Sequence, residues 1–218
     1  MRINKFVALA TGMSRRAADE AIEQNRVKVN AHPAIITSQI ASSDVVTLDG
    51  KVIKPLSITT IMLNKPAGYV CSRNGQGSKT IYDLIPQDLY HLKPVGRLDK
   101  DSSGLLLMTN DGTIAHEMTH PSQDKVKKYY VKLDKKLAKK DYSSINNGEV
   151  ILEDGKSQLQ LSQVSSTEYD WLVSMREGRN RQIRRTFDIL GYNVKKLHRL
   201  KMGNFSLDSL PSGKWIKI

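Results

Sequence analysis

The stretch from Pro94 to Gly112 limits most tightly what this chain can fold into. It begins extended and breaks into a polar turn at Lys100 to Gly104. It resumes as the apolar run Leu105-Leu106-Leu107-Met108 and closes at an Asp111-Gly112 turn. If Arg97 to Asp99 is extended, its side chains alternate: Arg97 and Asp99 share one face and Leu98 takes the other. A carboxylate then stands beside a guanidinium at the mouth of a buried strand pair. Taken alone, the stretch reads equally well as a surface hairpin with a solvated ion pair.

The flanking sequence favours short elements. Ile3, Phe6, Val7 and Ala10 fall at helical spacing, and Gly12 stops that helix. Ser14 caps a second helix over residues 15–25, with Ala18, Ala21 and Ile22 inward. Val27 to Asn30 and Asp44 to Leu48 read as strands, and Asp49-Gly50 turns the second into Lys51-Val52-Ile53. Lys54 to Ser57 reads as a linker, so residues 1–56 and 57–218 are expected as separate domains. In the larger part, strands are expected at Thr59 to Leu63, Lys127 to Leu133, Val150 to Leu152, Gln158 to Val164, Trp171 to Met175 and Val194 to Leu197. Helices are expected at Thr113 to Thr119, Leu137 to Asn147, and from an Asn180 cap to Leu190. Strands dominate and no βαβ alternation is visible. The fold class is therefore α+β: a small N-terminal module, then a mostly antiparallel or mixed sheet flanked by helices.

Charge narrows the partners. Lys and Arg number 34 against 22 Asp and Glu, a net charge of +12, and a chain this basic points to polyanions, nucleic acid first. No basic amphipathic helix with aromatic anchors is visible, and no apolar run approaches membrane-spanning length, so no membrane partner is expected. Met1-Arg2-Ile3 opens no signal peptide, and Cys71 is the single cysteine, which excludes a disulfide framework. The cytoplasm is the expected compartment and a monomer the expected state. Cys71 is expected to pack in the core.

The basic residues concentrate in two places. Arg15, Arg16, Arg26 and Lys28 surround the small module, and the two arginines sit at a helix start, where cations are disfavoured unless phosphate binds. In the run Arg176 to Arg185, Ile183, Phe187 and Leu190 form an apolar face, with Arg181, Arg184 and Arg185 opposite. Lys195, Lys196, Arg199 and Lys201 follow, completing a polyanion footprint. One motif points elsewhere. His116-Glu117-Met118-Thr119-His120 matches the helical zinc pattern, in which two histidines bind metal and the glutamate is the base. Pro121 ends the helix at once, and the third ligand would have to be an uncued acid such as Glu149 or Glu153.

Three motifs in order carry a resemblance that covers nearly the whole chain: Leu63-Asn64-Lys65-Pro66-Ala67-Gly68-Tyr69-Val70, Gly96-Arg97-Leu98-Asp99 through Gly112, and Glu177-Gly178-Arg179-Asn180-Arg181-Gln182-Ile183-Arg184-Arg185. Together they resemble the RsuA-type family of ribosomal RNA pseudouridine synthases, and the Lys127-Lys128-Tyr129 segment fits the same pattern. Residues 1 to about 50 resemble the RNA-binding module first known from ribosomal protein S-four, which implies RNA contacts from Arg15, Arg16, Arg26 and Lys28.

The resemblance implies an enzyme that breaks the uridine N-glycosidic bond, rotates the base and rejoins ribose to carbon five. It implies Asp99 as the catalytic carboxylate, nucleophile or base; attack on ribose, addition to the base and abstraction of a ribose proton all stay open. Arg184 is implied as its paired cation, Arg97 as the residue that fills or holds the everted nucleotide's place, and Tyr129 as the ring that stacks on the flipped base. Lys65 is implied to shape the pocket or touch phosphate, and Arg179, Arg181 and Arg185 to bind RNA. Asp101 is assigned a structural role in the turn. No step needs a cofactor or a metal. The implied partner is ribosomal RNA or a pre-ribosomal particle, with the Gly-Arg-Asn-Arg-Gln run leaning toward the large subunit. Rival readings are a non-catalytic RNA-binding or ribosome-assembly protein and a zinc peptidase built on His116 and His120. The joint presence of Asp99, Tyr129 and Arg184 counts against the first.

Overall fold

A computed structural model describes residues 1–164 and 169–218. The chain divides into two compact units, one of Met1–Thr59 with Gln87–Lys93, the other of Thr60–Pro86 with Pro94–Ile218.

The first unit pairs two helices with a small sheet. α1 (Ile3–Thr11) ends where Gly12 turns left-handed, at φ +75°, and donates its N–H to Ala8 O at 3.0 Å. α2 (Arg15–Glu23) starts at Ser14, whose Oγ accepts from Ala17 N at 3.0 Å. The helix stops two residues earlier than the spacing predicts, because Asn25 adopts φ +57°. β1 (Val27–Val29), β2 (His32–Pro33), β3 (Val46–Leu48) and β4 (Lys51–Val52) form a sheet of order β2-β1-β3-β4. Ile3, Val7, Ala18, Ala21, Ile22, Val27 and Val46 close the core between helices and sheet. The segment Gln87–Lys93 completes this unit, with Lys93 Nζ donating to Met13 O at 2.6 Å. No local signal marks that excursion, since it depends on contacts distant in sequence.

β6 (Lys93–Val95) spans the point where the chain passes to the second unit. That unit is organised by one sheet. Its strands are β5 (Thr60–Lys65), β7 (Ser103–Thr109), β8 (Lys127–Leu133), β11 (Gln160–Gln163), β12 (Asp170–Met175), β13 (Val194–Met202) and β15 (Trp215–Lys217), in the order β11-β12-β8-β13-β7-β5-β15. A small hairpin of β9 (Ile151–Leu152) and β10 (Gly155–Lys156) stands apart, and β14 (Phe205–Ser206) folds back on β13. Along the main order every pairing is antiparallel except β7 with β13, so the sheet is mixed.

The two parallel strands meet closely. Gly104 has φ +106°, and a Cβ there would sit 2.3 Å from Arg199 O and 2.5 Å from Arg199 N, so only glycine fits. Leu105, Leu106, Leu107 and Met108 are all fully buried. Leu105 and Leu107 pack with Met62, Met118, Met202 and Leu207 under α3 (Gly112–Thr119), which Asp111 caps by accepting from Thr113 N at 2.8 Å. α4 (Lys139–Asn146) and α5 (Gln182–Ile189) complete the unit.

Three boundaries that bear on the cleft differ from expectation. β13 runs to Met202, where it still pairs with β8 beyond an irregularity between Arg199 and Lys201. β7 begins at Ser103, and Arg97 to Asp99 is an unpaired loop, although Leu98 is buried and Arg97 exposed, as alternation requires. α5 is capped at Arg181 and not at Asn180; Arg181 takes a left-handed conformation, φ +47°, ψ 29°.

Candidate active site

A cleft of about 650 Å³ opens in the second unit. Its floor is one face of the sheet. Tyr129 of β8 lies directly opposite Arg199 of β13, and Lys127 opposite Met202, with Met175 of β12 on the other side of Lys127. Its walls are the loop Gly96 to Asp99 with Ser102, the end of α3, and the run from Arg176 into the first turn of α5.

The Asp99 loop is fastened from below. Lys65, at the end of β5, has no solvent exposure. Its Nζ donates to Ser102 O at 2.6 Å, Asp99 O at 3.0 Å and Pro66 O at 3.1 Å. Three carbonyls offset the several kcal/mol that burying an ammonium costs. Burial still holds this ammonium below its ordinary value, opposed by Cys71, Asp101 and Asp99. Ser102 N also donates to Asp99 O at 3.1 Å, and Leu98 N to Cys71 Sγ at 3.4 Å. Lys65 therefore holds the loop, with its side chain enclosed.

The Asp99 carboxylate stands at the rim with its side chain 34% exposed. Its nearest cation is Arg181, whose Nη1 lies 3.4 Å from Asp99 Oδ2 and 3.3 Å from Asp101 Oδ1. Arg184, the expected partner, turns instead to Asp101. Its Nη2 lies 3.3 Å from Asp101 Oδ2 and donates to Asp101 O at 3.1 Å, while Nη1 donates to Val194 O at 2.8 Å. Arg181, the left-handed residue that starts α5, keeps 44% of its side chain exposed, against 12% for Arg184. Desolvation lowers the Arg184 pKa, with Asp101 the main opposing charge. Asp101 thus positions two arginines beside Asp99. A 3.4 Å contact is long for a hydrogen bond, so the Asp99–Arg181 pair is loosely held.

The other basic residues divide. Arg179 is enclosed by Asp154 O and Oδ1, Gly155 O, Lys156 O and Glu177 Oε1 at 2.6–3.2 Å. Arg185 Nη2 is held by Asp154 Oδ2 at 2.8 Å. Arg179 ties the Arg176–Arg181 run, and Arg185 ties α5, to the turn of the β9–β10 hairpin, and both side chains stay partly exposed. In the first unit, Arg26 donates from Nε and Nη2 to the Asp49 carboxylate at 2.8 and 2.7 Å while its side chain stays exposed. Arg15, Arg16, Arg26, Lys28, Arg97 and Arg181 are exposed. Tyr129 is 7% exposed and lines the floor. Arg199 was legible only as one of several basic residues after the helix, yet it is buried and faces the cleft.

The zinc arrangement does not form. His120 is the extended residue after α3, its ring 4.5 Å from that of His116, and its Nδ1 accepts from Ser122 N at 3.2 Å. Glu117, the base that reading needs, is bound by Lys125 at 2.8 Å. Among the described residues no three His, Cys, Asp or Glu side chains are grouped to hold a metal ion. Nor is any described helix long and apolar enough to cross a membrane.

The family described as RNA pseudouridylate synthase matches residues 59–188. The chain is 34% identical over 218 residues to the dual-specificity RNA pseudouridine synthase RluF of Escherichia coli strain K12, covering 99% of this chain and 74% of that one. It is 34% identical over 225 residues to the ribosomal large subunit pseudouridine synthase B of Bacillus subtilis strain 168, covering 97% and 89%. A crystal structure of a pseudouridylate synthase superposes with a TM-score of 0.70 at 32% identity, covering 100% of this chain and 96% of that one.

Proposed function

Because this chain belongs to the RNA pseudouridylate synthase family, we propose that it isomerises one uridine of large-subunit ribosomal RNA to pseudouridine, with Asp99 as the acting carboxylate. The observation that carries the assignment of Asp99 is its setting. Its backbone is pinned by the buried Lys65, and its carboxylate faces the mouth of a cleft floored by Tyr129. About 650 Å³ lies within the range of pockets that enclose small ligands.

A uridine inside folded RNA must leave its stack to reach such a cleft. Arg97, exposed beside Asp99, is suited to hold the place of the everted nucleotide. The base enters over Tyr129, and the ribose lies against the Asp99 carboxylate, where an anion assists departure of the base from C1′. Arg181 keeps that carboxylate company until RNA displaces it, and Arg184 with Asp101 sets its position. Phosphates meet the exposed Arg97 and Arg181, and a second set meets Arg15, Arg16 and Lys28 of the first unit. The large-subunit target is supported by the name of the Bacillus relative and by the Gly-Arg-Asn-Arg-Gln run. The cytoplasm and a monomeric state follow from the sequence reading.

Asp99→Asn should lower pseudouridine formation at least ~10³-fold while RNA is still bound, as removal of a covalent or general-base group does. Unchanged turnover with intact binding would remove Asp99 from the mechanism. Mapping pseudouridine in the rRNA of a deletion strain identifies the uridine; a missing site in the small subunit alone would overturn the large-subunit target.

A further inference from the structure

Arg199 is 2% exposed, yet it lines the cleft. Its Nε donates to Leu105 O at 2.7 Å, which ties β13 to β7. Its Nη2 is buried and has no hydrogen-bond partner among the described residues. A buried unpaired donor costs about 1–3 kcal/mol, and more on a charged group, so such an atom is expected where an arriving acceptor completes it. Lys127 also lines the cleft and donates to Arg176 O at 3.3 Å and Glu177 O at 3.2 Å; burial first and Arg199 second push its pKa down, while Glu177 opposes them. The floor beside Tyr129 therefore carries a buried guanidinium nitrogen with no acceptor among the described residues.

Two parts of an RNA could supply that acceptor, a phosphate or the base. Depth separates them. The ribose-phosphate chain must stay continuous with RNA outside the cleft, whereas the base is the end that can reach the sheet. Arg199 and Tyr129 are also paired in register on adjacent strands, so a base lying on Tyr129 lies beside Arg199.

Resting on the pseudouridine reading above, we propose that Arg199 Nη2 donates to a carbonyl oxygen of the everted uracil and stabilises the negative charge the ring takes up during isomerisation. When the C1′–N1 bond breaks, its electron pair passes to N1 and spreads onto O2 and O4. The ring rotates, C5 bonds to C1′ with electrons from the ring, the C5 proton leaves to a base, and N1 takes up a proton. Arg199 stays protonated throughout. If the carboxylate instead adds to the base, the pair again reaches a ring oxygen, so the role does not depend on the route. A fixed donor in a dry site is most effective where charge develops in this way.

The test uses the full-length protein and a transcript of the mapped target carrying uridine, 2-thiouridine or 4-thiouridine, or a phosphorothioate 5′ to the target. Single-turnover rates are compared for wild type, Arg199→Gln and Arg199→Lys. Loss of an oxyanion-type donor should slow Arg199→Gln ~100-fold on uridine, and the charge-keeping Arg199→Lys about tenfold. Sulfur at the contacted oxygen should shrink the Arg199→Gln penalty to under about fivefold, since the lost bond is already weak there. Each penalty is compared within one protein preparation, so a partly unfolded variant cannot imitate this pattern. Equal penalties on both thio substrates, or a penalty that collapses on the phosphorothioate instead, would overturn the assignment while leaving the pseudouridine reading intact. A wild type that converts no unmodified uridine sinks both.

Discussion

Lys65 beneath the Asp99 loop and Arg199 on the floor of the cleft are shut from solvent, with backbone carbonyls as their bonded partners, whereas Arg97 and Arg181 on the rim stay exposed. The rim repeats the contrast within two residues, for Arg179 is enclosed by five acceptors and Arg181 makes only long contacts. Cations that hold the protein's own backbone are enclosed; the rim cations proposed to meet RNA are exposed, and Arg181 is loosely paired. A count of arginines along the sequence cannot separate these two uses.

The sharpest way to break the floor is Gly104→Ala. A methyl there meets the Arg199 backbone, at a φ that L-residues rarely adopt, and the expected cost is about 4 kcal/mol. Urea denaturation should show it, and an unchanged midpoint would deny that β7 and β13 approach so closely. Lys65→Met should cost about 3 kcal/mol by stranding three carbonyls, and turnover should fall with it as the Asp99 loop loosens. A variant that keeps full stability would mean the loop is held by other bonds.

The two rim arginines are expected to respond oppositely. Arg179→Gln should destabilise by about 2 kcal/mol and leave the salt dependence of RNA binding unaltered. Arg181→Gln should shift stability by less than about 0.5 kcal/mol, weaken RNA binding about tenfold, and reduce the salt slope by about one. Exchanged outcomes would reverse the assignment of the two.

The smallest effect concerns His198, whose Nδ1 lies 2.8 Å from Ser103 Oγ. Burial, and then Lys196, hold its imidazole below the ordinary 6.5. The unfolded chain then binds more protons, so this contribution to stability is present above pH 6.5 and fades as pH falls through the depressed value. Denaturation midpoints of wild type and His198→Gln between pH 5 and 8 should differ in slope on the acid side; parallel curves would remove the effect.

Much of the fold was legible because local patterns and tertiary demands agree. Lys127 to Leu133 reads as a strand and is one, and Ser14, Gly12 and Asp49-Gly50 punctuate the first unit as their chemistry requires. What escaped was set at long range. Nothing local sends Gln87–Lys93 to the first unit. Arg181 capping α5 in a left-handed turn contradicts its propensity, and it is Arg181 whose guanidinium lies 3.4 Å from the Asp99 carboxylate. Such a departure from local preference is commonest at functional sites. Arg199 was hidden because a buried arginine in a strand reads, in sequence, like its solvated lysine neighbours.

The parallel junction of β7 and β13 also has a consequence in time. Leu105 and Arg199 are 94 residues apart, and no hairpin can bring their strands together. Contacts this distant close late, after local helices and hairpins have formed. During synthesis the first unit can be largely in place, and the Asp99 loop already emerged, before the strand that completes the cleft exists. The nascent chain would thus acquire a means of gripping RNA before it can alter it. A ribosome-bound intermediate halted before residue 194 should therefore retain the first unit's protection from proteolysis and lack activity.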